Sequence, residues 1–257
     1  TLNNGNTTMD HGCSIKYGRW KIYKKGRQHM KKKKRHGLKY KLADGTIAKG
    51  VTTLIRSNLG WDKQPLINWT RRMALDGIDD EEEMREAQKI GTLTHLLIEA
   101  NQKGVKDFDT GDFSRNQTEQ AMIAFAGYRQ WAEKTDFKPL KSEMMLVNED
   151  WRVGGTIDCV GSMGDDLVLI DWKTAKYLYA EHKIQISAYI KMFEDAHSKA
   201  RAGVRIKKGL NPIYGMILRF EKQELKFHQH IVKRERVEAG IEAFDAIVKL
   251  SRLRKKV

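Results

Sequence analysis

The sequence predicts a mixed α/β fold, a central mixed β-sheet flanked by helices, on three observations. Long segments with apolar residues at helical spacing fill much of the first half. Three short β-rich runs follow one another between residues 143 and 173, and helical and strand-like segments then alternate towards residue 254. At 257 residues the chain is near the upper limit for one hydrophobic core. The expected organisation is therefore a basic N-terminal segment with a β-hairpin over residues 1–49 and one main domain over 50–257.

The N-terminal segment carries much of the charge. Residues 16–41 contain no acid and include the run Lys31, Lys32, Lys33, Lys34 and Arg35, with Tyr17, Trp20, Tyr23 and Tyr40 interleaved. Basic residues alternating with aromatics suit a surface that follows a phosphate backbone and stacks on bases. The whole chain has a formal net charge of +15, which points to a polyanionic partner such as nucleic acid.

The elements can be justified in order. Asp44-Gly45 between strand-like stretches 40–42 and 46–55 reads as a hairpin. Residues 65–76 place Leu66, Trp69 and Met73 at helical spacing. Residues 79–100 open with acids that complement a helix N-terminus, and 117–134 align Ala121, Phe125, Tyr128 and Trp131. The aromatic residues of these helices are read as core rather than as a binding platform. Runs 143–147, 152–162 and 167–173 read as consecutive strands, followed by a helix over 181–199. Strands over 213–220 and 224–232 and a helix over 234–254 close the chain.

The central pair of strands carries chemistry. Gly154-Gly155-Thr156-Ile157-Asp158 and Leu169-Ile170-Asp171-Trp172-Lys173 are joined by Met163-Gly164-Asp165-Asp166. If Gly164 and Asp165 make the turn, Met163 pairs with Asp166, and counting outward sets Asp158 opposite Asp171. Like charges opposite each other on a sheet repel, so the arrangement asks for a cation. Alternation puts Lys173 on the side of both acids and sends Ile157, Ile170 and Trp172 to the other face. Oxygen ligands suit Mg²⁺, which accepts phosphate oxygens as well, and an ammonium beside them fits phosphodiester hydrolysis.

These residues resemble the PD-(D/E)XK nuclease superfamily, in particular its RecB-like exonuclease branch, over roughly residues 50–220. The branch's Gly-x-x-x-His motif is matched by Gly91 to His95, with Glu99 one turn on; its second-motif Asp by Asp158; its third motif by Asp171-Trp172-Lys173; and its Gln-x-x-x-Tyr by Gln185 to Tyr189. Ile157 stands where the superfamily's name has Pro, and Asp171 where many members have Glu. The resemblance implies a restriction-endonuclease-like core of order αβββαβ and a Mg²⁺- or Mn²⁺-dependent deoxyribonuclease. It implies Asp158, Asp171, Lys173, Gln185 and Tyr189 as catalytic residues, and His95, Asp158, Asp171 and Trp172 at the metal. Read alone, His95 among Leu93, Leu96 and Leu97 is a core residue, and Glu143 is as much a surface acid as a site residue.

Expected partners are single-stranded DNA or DNA ends, met by the basic run above and by Lys176. A helicase or recombination partner is compatible but not identified. The leading function is an exonuclease; a structure-selective endonuclease and a DNA-binding module with a decayed centre are the alternatives, the latter disfavoured by the intact motifs. Cys13 and Cys159 are too few for an iron–sulfur cluster or a disulfide scaffold, which suggests a reducing compartment. With no apolar run near the roughly 20 residues of a membrane span and no apolar leader, a cytoplasmic setting is expected.

Overall fold

The computed structural model describes residues 21–23, 39–59, 64–198, 214–254 and 256–257. The run Lys31 to Arg35 lies outside them, as does Ile213, the expected start of the fourth strand. The elements are β1 (Lys21–Tyr23), β2 (Tyr40–Lys41), β3 (Ile47–Gly50), α1 (Val51–Asn58), α2 (Gln64–Leu75), α3 (Asp80–Gln102) and β4 (Asp107–Asp109). They continue with α4 (Arg115–Lys134), β5 (Lys138–Asn148), β6 (Val153–Met163), β7 (Asp166–Lys173), α5 (Ala180–Ser198), β8 (Tyr214–Phe220), β9 (Phe227–Val232) and α6 (Arg234–Leu253).

Seven strands form one mixed sheet in the order β2-β3-β6-β7-β8-β9, with β5 on β6 as well. The pairs β3–β6 and β7–β8 are parallel and the rest antiparallel. Strands β1 and β4 make a separate parallel pair. The αβββαβ order is thus present as α4-β5-β6-β7-α5-β8, and the restriction-endonuclease-like fold class holds.

Each face of the sheet is covered. On one, α1, α5 and α6 bring Leu54, Phe193 and Phe244 into a core with Ile157, Leu169 and Ile217. On the other, α3 and α4 pack Leu97 and Phe125 on Ile170, Trp172 and Leu218. Two helix starts are locally encoded. The Asp79 carboxylate accepts from the Glu81 and Glu82 amides, and Ser114 with Gln117 forms a reciprocal capping box.

Four expectations need correction. Residues 51–55, read as strand because of Val51, Thr52, Thr53 and Ile55, begin α1 instead. Val51, Leu54 and Ile55 are buried at i, i+3 and i+4, and that packing outweighs their β-branched preference. The last strand starts at Phe227 rather than 224, because residues 221–226 turn, with the Glu221 amide donating to the Lys226 carbonyl. None of the twelve residues of α2 is buried, so Trp69 is not core, and neither are Leu66 and Met73 at the same helical spacing. Finally, Ile157 does not share a face with Ile170 and Trp172; it belongs to the opposite core.

The fourth correction has a structural cause that places the site. Residues i and i+2 of a regular strand share a face. Here Ser142 and Cys159 both reach Gln102 of α3, whereas Met144 and Ile157 both lie in the core under α5. Both strands therefore change face between these pairs, at Glu143 and Asp158. Glu143 takes φ +52°, a left-handed conformation rare for a non-glycine residue, and this accommodates the switch.

Candidate metal-dependent catalytic site

The site lies where β6 changes neighbours. Strand β5 occupies one edge of β6 from Val153 to Ser162. The other edge is shared: β3 pairs with Val153 and Gly154, and β7 with Cys159 to Met163. Residues 155–158 fall in the gap: Gly155 to Ile157 stay paired with β5, but this edge has no strand partner.

The turn-derived register holds from Met163↔Asp166 to Cys159↔Ile170. One step further the ladder gives way to a side chain: the Trp172 amide donates to Asp158 Oδ2 at 2.9 Å. Asp158 Oδ1 faces His95 Nδ1 at 3.4 Å, so this carboxylate links β7 to α3. Asp171 is buried beside it, and Lys173 Nζ lies 2.5 Å from Asp171 Oδ2. Apart from that ammonium, no donor reaches Oδ2 among the described residues. Burial raises the Asp171 pKa above the ordinary carboxylate value; Lys173 and His95 oppose the rise and Asp158 adds to it.

Glycines let the surrounding elements close in. A Cβ on Gly154 would lie 2.0 Å from Tyr40 Cγ, and one on Gly155 would lie 2.4 Å from Tyr189 Cε1. The Tyr40 hydroxyl is 3.2 Å from Thr156 Oγ1. Gly91, one helical turn before His95, approaches the residue that follows Lys173: a Cβ there would be 3.2 Å from Thr174 Oγ1. The motif glycines are thus contact points between the sheet and its flanking elements.

The other expected residues are distributed as follows. Gln185 Nε2 donates to Asp171 Oδ1 at 3.2 Å and lies 3.4 Å from the Tyr189 hydroxyl. Burial pushes the Tyr189 hydroxyl pKa upward, and Asp171 and Asp158 push it further, so Tyr189 stays a neutral phenol. The Trp172 ring packs among Tyr128, Trp131, Phe137 and Phe220, away from the acids, and an indole offers no acceptor. Trp172 therefore meets the site through its main chain. Glu99 pairs with Lys103. Lys176 sits exposed on the β7–α5 loop, its ammonium 5.6 Å from the Tyr177 ring centre.

Two contributors escaped the sequence reading or were left open by it. Ligand atoms of His95, Glu143 and Asp158 all lie within 4.8 Å of one another, the one such grouping among the described residues. Glu143 could have been placed by counting back from the turn at 149–152, since Asn148↔Val153 leads to Glu143 opposite Asp158. His182 had no such signal. Burial, and then Lys173, hold its pKa down at about 3, so it is neutral and accepts from the Tyr179 amide at Nδ1.

The donor set is imidazole nitrogen and carboxylate oxygen, next to a buried carboxylate oxygen with no partner but an ammonium. That set fits a hard or borderline divalent cation such as Mg²⁺ or Mn²⁺. A mixed sheet between helices, with acids, an imidazole and an ammonium gathered where β6 changes neighbours, fits one class: a nuclease of restriction-endonuclease-like fold. The family model described as the PD-(D/E)XK nuclease superfamily matches residues 69–252, and the chain belongs to that superfamily. Its members are hydrolytic nucleases that typically use divalent metals, and DNA is the substrate the family implies. A comparison with curated proteins gives no significant match. No helix among the described residues is long and apolar enough to cross a membrane.

Proposed function

We propose that the protein is a Mg²⁺- or Mn²⁺-dependent DNA exonuclease of the RecB-like branch, acting on single-stranded or end-frayed DNA. The observation that carries this reading is the grouping of His95, Glu143 and Asp158 at the gap between β3 and β7, with the Asp171–Lys173 ion pair on β7 next to it. His95, Glu143, Asp158 and Asp171 would hold the cation. Bound there, it would lower the pKa of a water and offset charge on the scissile phosphate.

The remaining roles belong to the chain's own groups. Lys173 has hydrogen-bond donors and no acceptor, so it orients the attacking water or a phosphate oxygen. Asp171 fixes the ammonium, and Gln185 fixes Asp171. Tyr189 seats the α5 face against Gly155. The Gly91–Thr174 approach and the Gln185–Asp171 bond give the two RecB-like helical motifs a physical task, which favours that branch. The basic run Lys31 to Arg35 and Lys176 would carry phosphate backbone towards the centre, with the N-terminal segment serving as an appendage to the nuclease domain.

The test uses end-labelled linear and covalently closed circular substrates, single- and double-stranded, with Mg²⁺, Mn²⁺ or EDTA. Digestion of linear single strands, with circles intact, is expected. Cutting of circles would replace the exonuclease by the structure-selective endonuclease that shares this centre.

A further inference from the structure

The loop that leaves the site, residues 174–179, holds the two most exposed aromatic rings among the described residues. Tyr177 and Tyr179 are 59% and 45% exposed, whereas Leu178 between them packs against the core beneath α5. The loop thus turns one apolar residue inward and two rings outward. Its start is fixed, because Thr174 abuts Gly91 directly after Lys173. Its end is fixed as well: the Tyr179 ring meets His182 edge-on at 5.5 Å, and the Tyr179 amide donates to the same imidazole. His182 is itself half-buried in the first turn of α5. The rings are therefore exposed on a loop that is anchored at both ends, a few residues from the ammonium that pairs with Asp171. Lys176 adds a cation over the Tyr177 face.

Exposed, anchored rings beside a basic residue are the components of a base-stacking surface. Duplex DNA keeps its bases inside the helix and cannot use them, whereas a single strand can offer base faces regardless of sequence. A protein partner would be expected to engage a broader apolar patch than two rings.

We infer that Tyr177 and Tyr179 form a stacking platform for unpaired bases of single-stranded DNA, next to the cutting centre. This deepens the nuclease reading above and rests on it. The platform explains a preference for single strands and frayed ends without any base-edge contact. It positions the strand by its bases while Lys173 and the acids act on the phosphate.

The test is binding of the full chain in EDTA, read by fluorescence anisotropy. The probes are a labelled oligothymidylate and an abasic oligomer with the same number of phosphates. Base stacking is worth about five- to 150-fold in affinity for each stacked base. The parent is expected to favour the oligothymidylate by at least about fivefold. The Tyr177→Leu/Tyr179→Leu double variant is expected to lose that preference while keeping the parent's salt slope and melting temperature. The Tyr177→Phe/Tyr179→Phe variant is expected to retain the preference. Equal affinity of the parent for both probes, or an unchanged preference in the leucine variant, overturns the platform. A parallel cleavage assay with Mn²⁺ separates the two ideas. Cleavage without base preference removes the platform and leaves the nuclease; base preference without cleavage supports the platform and removes the nuclease.

Discussion

Glu143 stands across the β5–β6 ladder from Asp158, bracketed by the pairs Ser142↔Cys159 and Met144↔Ile157, at the point where both strands change face. A strand that kept its face would not turn both acids towards His95. The left-handed φ of Glu143 is therefore tied to the placement of a ligand. Replacing a group that only orients a metal ligand already costs about 10- to 100-fold in affinity. Glu143→Gln should accordingly weaken Mn²⁺ binding by about tenfold or more with little change in melting temperature in EDTA. Calorimetric titration with Mn²⁺ checks this, and an unaltered affinity would return Glu143 to the role of a plain surface acid.

Asp171 predicts a pH dependence. Its folded-state pKa is raised above the usual 3.8, chiefly by burial. As pH rises past 3.8 the unfolded chain releases this proton before the folded chain does. Stability from this group therefore falls with rising pH up to the folded pKa and is flat beyond it. Asp171→Asn removes the effect. In EDTA the variant's melting temperature minus the parent's should be smallest at the acid end of a series from about pH 4 to about pH 8 and grow towards neutrality. Saturating Mg²⁺ should then stabilise the parent and narrow the gap. A gap that is constant across the series would show that Asp171 ionises without penalty.

The contact between Gly154 and Tyr40 predicts a coupled pair. Adding a methyl group where the ring lies should cost about 1–3 kcal/mol, the range for overpacking. In a Tyr40→Gly background the ring and the Cβ that would lie 2.2 Å from the added methyl are both gone, so the same Gly154→Ala change should cost much less. Urea denaturation of the four proteins in this cycle gives the coupling directly. An equal penalty in both backgrounds would mean that something other than the ring excludes a side chain at position 154.

Much of this architecture is legible in the sequence, for identifiable reasons. The Gly164 turn fixes the β6–β7 register because one two-residue turn permits only one pairing, and α3 announces itself through its acidic start at Asp79, whereas the helix read from residue 117 misses the Ser114 cap that starts α4 at Arg115. Local pattern fails where tertiary packing decides. The β-branched start of α1 is helical because Leu54 and Ile55 are buried, and the first third of β5 is disguised by Pro139, where the ladder shifts register. The site divides the same way. Asp158, Asp171 and Lys173 follow from turn and alternation. The face switch, and with it the face taken by Ile157 and Glu143, depends on a backbone conformation at one residue that no periodicity records.

The basic segment carries a quantitative expectation. Substituting glutamine for Lys31, Lys32, Lys33, Lys34 and Arg35 should weaken single-strand binding and flatten its salt dependence. The log–log slope should fall by about 0.7 for every phosphate that the substituted run no longer neutralises. An identical slope before and after substitution would mark the run as a spectator of binding.

If Lys173 and the acids around it form a metal-dependent cutting centre, a single comparison of two proteins should expose it. Hydrolysis of an end-labelled single strand by the parent and by Lys173→Ala is followed with Mn²⁺ and with EDTA, alongside DNA binding in EDTA. The parent should cleave, and EDTA should abolish that cleavage. Lys173→Ala should lose cleavage with binding within a few-fold of the parent, because one ammonium among many basic groups adds little to backbone affinity. Cleavage by the parent that survives EDTA, or by Lys173→Ala at more than about a tenth of the parent rate, would contradict a metal-dependent centre built on this lysine.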